Sequence, residues 1–124
     1  MLIIDANAIL RYILCDNADM ANEVNKLISG NAVTIRYEVM AEVIYVLEKL
    51  YSMPRDEIAN GIRIFLALPN VKTEFKDVLL LALETYSKMK FDFVDCLLYG
   101  FSAVCGYDIF TFDKSLNSLI NKTI

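Results

Sequence analysis

Apolar and polar positions alternate along this chain in two different rhythms. Leu2–Asp5 is a short apolar run ending on a carboxylate and reads as a buried strand at the very start. Ala6–Leu14 switches to helical spacing, with Ile9, Leu10 and Ile13 on one face. Ala18–Ser29 predicts a second helix, with Gly30 as its C′ glycine. Ala32–Ile35 is a second short strand. Tyr37–Tyr51 is a strong amphipathic helix, its stripe formed by Val39, Val43, Val46, Leu47 and Leu50. Pro54 suits the first turn of a further helix running to Leu68, which Pro69-Asn70 breaks. Val71–Thr73 predicts a third strand and Asp77–Met89 a helix. Phe93–Cys105 predicts another helix, ended by Gly106. Asp108–Thr111 reads as a fourth strand and Lys114–Ile120 as a last helix.

Strands alternating with helices predict an α/β fold, a parallel sheet covered on both faces. No repeat, low-complexity tract or linker interrupts the pattern, so the expectation is a single domain over residues 1–124. Such sheets bind ligands at the carboxyl ends of their strands, where strand order reverses. A site is therefore expected where strands one and four end.

Composition narrows the chemistry. Hydrophobic residues make up 56% of the chain, yet no run approaches the ~18 apolar residues of a membrane span. Only Met1–Ile4 precede Asp5, without a basic start or a long apolar stretch, so a cytoplasmic protein is expected rather than a secreted one. The apolar excess points to a protein–protein interface. The net charge of −4 counts against tight non-specific nucleic-acid binding through bulk electrostatics. It does not count against an acidic site neutralised by divalent cations. Cys15, Cys96 and Cys105 lack CxxC spacing and read as reduced core cysteines. The chain has no histidine, which excludes Ser-His-Asp and Cys-His catalysis and makes a zinc site improbable. Catalysis here must use carboxylates, lysines, tyrosines or a metal.

Four carboxylates then stand out. Asp5 ends the first strand and Asp113 follows the fourth, and either fits an N-cap as well as a ligand position. Asp95 lies in Asp92-Phe93-Val94-Asp95, where Asp92 fits an N-cap and Asp95 its N3 partner in a box-like arrangement. Glu42 sits mid-helix between Ala41 and Val43, one turn after Glu38. A charge beside an apolar face is costly unless paired or metal-bound, whereas a solvated helix face is the plain alternative. In a doubly wound sheet these places can converge on one crevice. The crowding would raise carboxylate pKa values, and a divalent cation would relieve it.

At these residues the sequence resembles the PIN-domain nucleases, particularly VapC-type toxins of prokaryotic toxin–antitoxin pairs. The pieces that carry the resemblance are Ile3-Ile4-Asp5-Ala6-Asn7, Ala41-Glu42-Val43 with Val46-Leu47-Glu48, Asp92-Phe93-Val94-Asp95-Cys96-Leu97-Leu98, and Gly106-Tyr107-Asp108-Ile109-Phe110-Thr111-Phe112-Asp113-Lys114. Each is short, but their order and spacing span essentially the whole chain. The resemblance implies a three-layer α/β/α sandwich with a parallel sheet of four to five strands. It maps the family's acidic quartet onto Asp5, Glu42, Asp95 and Asp113, as catalytic residues and ligands of Mg²⁺ or Mn²⁺. Asp92, Asn7 and Thr111 take supporting positions beside them.

What this implies is metal-dependent hydrolysis of RNA phosphodiester bonds, in which a bound cation lowers the pKa of its water. Arg11, Arg36 and Lys114 are candidates for RNA phosphate contact, or ordinary solvated charges. The resemblance further implies a small antitoxin partner, and a homodimer fits the apolar excess. Three alternatives stand beside it: a non-catalytic PIN-like interaction module, a DNA-directed acid-cluster nuclease, and another α/β enzyme with an acidic site. Against the last, a haloacid-dehalogenase-type phosphatase would want an acid where Asn7 stands. A receiver domain would want an aspartate ending the third strand, which here ends near Thr73-Glu74.

Overall fold

The computed structural model describes residues 1–122, which divide into two compact units, one over Met1–Glu74 and one from Phe75 onward. The first holds all the strands. In chain order it runs β1 (Leu2–Ile3), α1 (Ala6–Leu14), α2 (Ala18–Gly30), β2 (Val33–Thr34), α3 (Tyr37–Lys49), α4 (Arg55–Leu66) and β3 (Val71–Lys72). The second holds α5 (Lys76–Lys88), α6 (Phe93–Cys105) and α7 (Lys114–Lys122).

The three strands form one parallel sheet in the order β1-β2-β3, with Leu2 opposite Val33, Ile3 opposite Thr34 and Val33 opposite Val71. Central β2 is the buried one. Val33 and the following Ile35 are fully or almost fully enclosed, and the Ile35 amide extends the ladder to the Lys72 carbonyl at 2.8 Å. The class read from the alternation, mixed α/β with a parallel sheet, is the class observed.

Several details differ from the sequence reading. Leu2 and Ile3 are exposed, at 36% and 59%, so β1 is an edge strand rather than a buried one. It has a single ladder partner, and only Ile4 of the opening run enters the core. Among the described residues the sheet has three strands, not four or five. Residues 108–111 form no ladder. Their β-branched and aromatic side chains favour extended backbone, but a strand exists only where its amides and carbonyls find a partner. Among the described residues the strand order β1-β2-β3 shows no reversal.

The helices bury apolar stripes, though in α3 not the one read from the sequence: Met40, Val43, Ile44 and Leu47 are buried on one face, whereas Val39 and Val46 are half-buried and Leu50 is exposed. In α4, Ile58, Ile62, Phe65 and Leu66 do the same. Burying each such side chain is worth about 1.5–3 kcal/mol. The termini depart by small steps. Pro54 stands just before α4 rather than in its first turn. Gly30 is the last residue of α2, not a C′ glycine; Asn31 follows in extended conformation, and its side-chain amide donates to the Leu27 carbonyl at 3.0 Å. Gly106 does end α6 in the left-handed region, at φ 72°, with its amide bonded to the Ser102 carbonyl at 3.0 Å.

In the second unit α5 packs on α6. A Cβ on Gly100 would lie 2.9 Å from the Val78 carbonyl oxygen, so only glycine permits this approach. Tyr86 and Phe93 meet edge-on at 5.9 Å, and Phe101 stacks on Tyr107 at 6.0 Å. Of the cysteines, Cys96 is buried as expected and Cys105 half-buried, whereas Cys15 is exposed. Cys15 closes α1 in the left-handed region (φ 51°), a surface position and not a core one.

Candidate active site

In the first unit, Asp5 follows β1 and caps α1. Its backbone is extended, as an N-cap requires, and its Oδ1 accepts from the Ala8 amide at 2.9 Å. The carboxylate remains exposed at the carboxyl end of an edge strand. Asn7 is exposed in the first turn of the same helix. One turn on, the Arg11 guanidinium pairs with Asp16 through Nη1, at 2.8 and 2.9 Å to the two carboxylate oxygens. The Tyr51 side chain, and with it Asp16, favours the charged form of Arg11.

Glu42 is exposed on α3. Water therefore solvates it, and the desolvation cost inferred from its apolar neighbours does not arise. Glu38, one turn earlier, is held ionised by a hydrogen bond to its own backbone and by Arg36, whose Nε lies 3.1 Å from Glu38 Oε1. Both arginine candidates for phosphate contact are thus already matched to an acid.

In the second unit, Asp92 occupies the N-cap position of α6 and Asp95 lies in its first turn. The box-like arrangement does not form, because the Asp92 side chain makes no capping hydrogen bond. Asp95 is half-buried. Its carboxyl is pushed above the usual carboxylate range by burial first, then by the charges of Asp92 and Asp113. Asp113 caps α7: its Oδ1 accepts from the Leu116 amide at 2.8 Å. The loop before it is tied down. The Asp113 amide donates to Thr111 Oγ1 at 3.1 Å, and the Asn117 side-chain amide donates to the Thr111 carbonyl at 2.9 Å. Lys114 is exposed at the start of α7.

The plain capping role is therefore realised at Asp5 and Asp113. It is not realised at Asp92 and Asp95, two acids that crowd each other at one helix start without bonding the orphan amides there. Sequence reasoning overlooked Asp16 and Asn117. Asn117, six residues after Thr111 and four after Asp113, stands one helical turn from the cap, and that spacing was the available signal.

The PIN domain family model matches residues 2–120. The chain belongs to the PIN domain family. PIN domains are generally nucleases, so the α/β fold described above is a nuclease fold. No curated protein and no solved structure matched the chain. No helix among the described residues of this PIN domain is long and apolar enough to cross a membrane.

PIN domain nucleases typically use divalent metals. The donors here fit a hard cation: the side chains of Asp92, Asp95 and Asp113 offer only oxygen, and the charges of Asp92 and Asp113 add to burial in raising the Asp95 pKa. Among the described residues no three acidic or cysteine side chains stand together as direct ligands of one ion. Mg²⁺ does not need them, since it commonly takes one or two carboxylates and keeps several waters.

Proposed function

We propose that this PIN domain is a metal-dependent endoribonuclease, the toxin of a toxin–antitoxin pair, and that residues 1–124 act as one domain. The observation that carries the reading is Asp95, partly buried at a helix start beside Asp92 and Asp113, with no capping work to do. Family membership across residues 2–120 supports it.

In this reading Asp5, Glu42, Asp95 and Asp113 hold Mg²⁺ or Mn²⁺. A bound cation of this kind supplies hydroxide near neutral pH and offsets charge on the phosphate. The protein's own part is to fix its carboxylates. Asp113 is oriented by the Leu116 amide and by Thr111, and Asp5 by the Ala8 amide, so each can turn its remaining oxygen outward without losing its place. Asp92 adds negative charge beside Asp95 and raises the site's attraction for a cation. Asn7 hydrogen-bonds ligand or water from the first turn of α1. Lys114, next to Asp113 in the chain, meets a phosphate oxygen; Arg11 and Arg36 do so only by exchanging their present acidic partners. A small antitoxin and a second copy of the chain are the proposed protein partners, and the cytoplasm the proposed location.

The deciding experiment incubates the protein with an RNA oligonucleotide and a single-stranded DNA of the same sequence, in Mg²⁺ or Mn²⁺. RNA cleavage that disappears in Asp95→Asn and Asp5→Asn, with both variants folded, is expected. Full activity in either variant removes the catalytic assignment. Cleavage of DNA alone moves the protein to the DNA-directed class.

A further inference from the structure

Phe110 and Phe112 are almost wholly in water, at 86% and 89% exposure. Their rings meet edge-on, 5.2 Å apart and inclined at 81°, so the edge of one ring lies against a face of the other and the remaining faces are open. The backbone beneath them is not loose. Thr111 between them is half-buried and bonded through Oγ1 to the Asp113 amide and through its carbonyl to Asn117. Two large apolar rings are thus displayed from an anchored segment, and the next residues in the chain are Asp113 and Lys114. Lys114 makes no ion pair among the described residues.

Membership of a nuclease family makes a nucleic acid the ligand such rings would meet. The chain carries −4 overall, and Arg11 and Arg36 are matched to Asp16 and Glu38. A chain of net negative charge gains little from general attraction for polyphosphate, so contacts that do not depend on net charge would add to what Lys114 can supply. Stacking of bases on aromatic rings is such a contact, worth about 5- to 150-fold in affinity per base. It requires bases that are unpaired and splayed.

We propose that Phe110 and Phe112 stack unpaired bases of single-stranded RNA and so set the strand beside Asp113 and Lys114. The identity of the nucleic acid rests on the nuclease reading above; the stacking does not. A protein partner covering the same rings is the competing occupant.

The chain has no tryptophan, so Phe112→Trp introduces a single reporter at the proposed contact. Titration with an unstructured RNA oligonucleotide should quench its emission saturably, and the same RNA annealed to its complement should quench far less. In parallel, the doubly substituted Phe110→Leu, Phe112→Leu protein keeps apolar bulk but loses the ring faces. Its KM for RNA cleavage should rise about tenfold or more while kcat changes little. Absent quenching overturns the proposal whether or not RNA is cut, and so does equal quenching by duplex. An emission change that follows protein concentration without RNA also overturns it, in favour of contact between copies. Quenching without cleavage upholds the stacking and removes the nuclease reading instead.

Discussion

Asp95 and Asp113 repel each other: burial first, then Asp92, then Asp113 raise the pKa of the Asp95 carboxyl. The raised value means that the folded chain binds this proton more tightly than the unfolded one. Below the ordinary carboxylate range both states are protonated and nothing is lost. As pH rises through that range toward the raised value a stability deficit builds, and above it the deficit is complete. Asp95→Asn should therefore stabilise the protein slightly near pH 7. The gain should vanish in acid. Thermal melts of both proteins across pH test this, and loss of RNA cleavage in the more stable variant would mark a residue kept for activity.

Asp113 allows charge and cap to be separated. Asp113→Ala removes the acceptor for the Leu116 amide and should cost about 1 kcal/mol. Asp113→Asn keeps an acceptor in the same place and should fold as well as the original. Both should lose cleavage if the negative charge serves the reaction. An active, destabilised Asp113→Ala would reduce the residue to its structural role.

Much of this was legible from residue spacing. The bounds of α1 and α6 follow directly from apolar stripes and end signals, and Asp5 and Asp113 were recognisable as caps because a cap needs only local chemistry. What spacing does not reveal is partnership across the chain. The segment around Phe110 has strand-like side chains, yet whether it joins a ladder depends on a partner that its own sequence does not name. Glu42 looked costly because its neighbours are apolar, but a helix turns each residue by about 100°, and Glu42 faces water. Arg11 looked free because Asp16 lies beyond the end of its helix, where helical spacing gives no guide.

Gly100 tests the packing of the second unit. A methyl group there would press on the Val78 main chain, which has no rotamer with which to yield. Alanine favours a helix over glycine by about 1 kcal/mol, so an exposed site would gain. At Gly100 the clash should outweigh that gain, leaving Gly100→Ala destabilised by about 1–3 kcal/mol in chemical denaturation. A neutral or stabilising result would show that α5 and α6 separate more easily than the contact implies.

Cys15 sits in a left-handed conformation that costs a side chain roughly 1–2 kcal/mol. Its Sγ contact with the Tyr12 carbonyl at 3.2 Å recovers little of this. Cys15→Gly should therefore raise stability by up to about 1 kcal/mol. In the original chain, Cys15 should be alkylated first under native conditions and Cys96 only after unfolding, as mass spectrometry of the labelled peptides would read. Equal labelling would contradict the burial of Cys96.

Divalent ions should change stability as well as activity. Asp92, Asp95 and Asp113 concentrate negative charge in the folded second unit, whereas the unfolded chain spreads the same charges apart. A cation held there binds the folded state preferentially, and the gain grows with the logarithm of its concentration beyond the dissociation constant. Mg²⁺ or Mn²⁺ at about a hundredfold excess over that constant should add about 2.7 kcal/mol, seen as a rising melting temperature. Monovalent salt at equal ionic strength should give a smaller rise, because it screens without binding. Chelation should abolish cleavage and leave the protein folded, since the core owes nothing to the ion. The decisive comparison is Asp95→Asn, in which the ion's effect on melting should shrink together with activity. If Mg²⁺ and Mn²⁺ stabilise that variant as much as the original, the cation is bound elsewhere and Asp95 is not among its ligands.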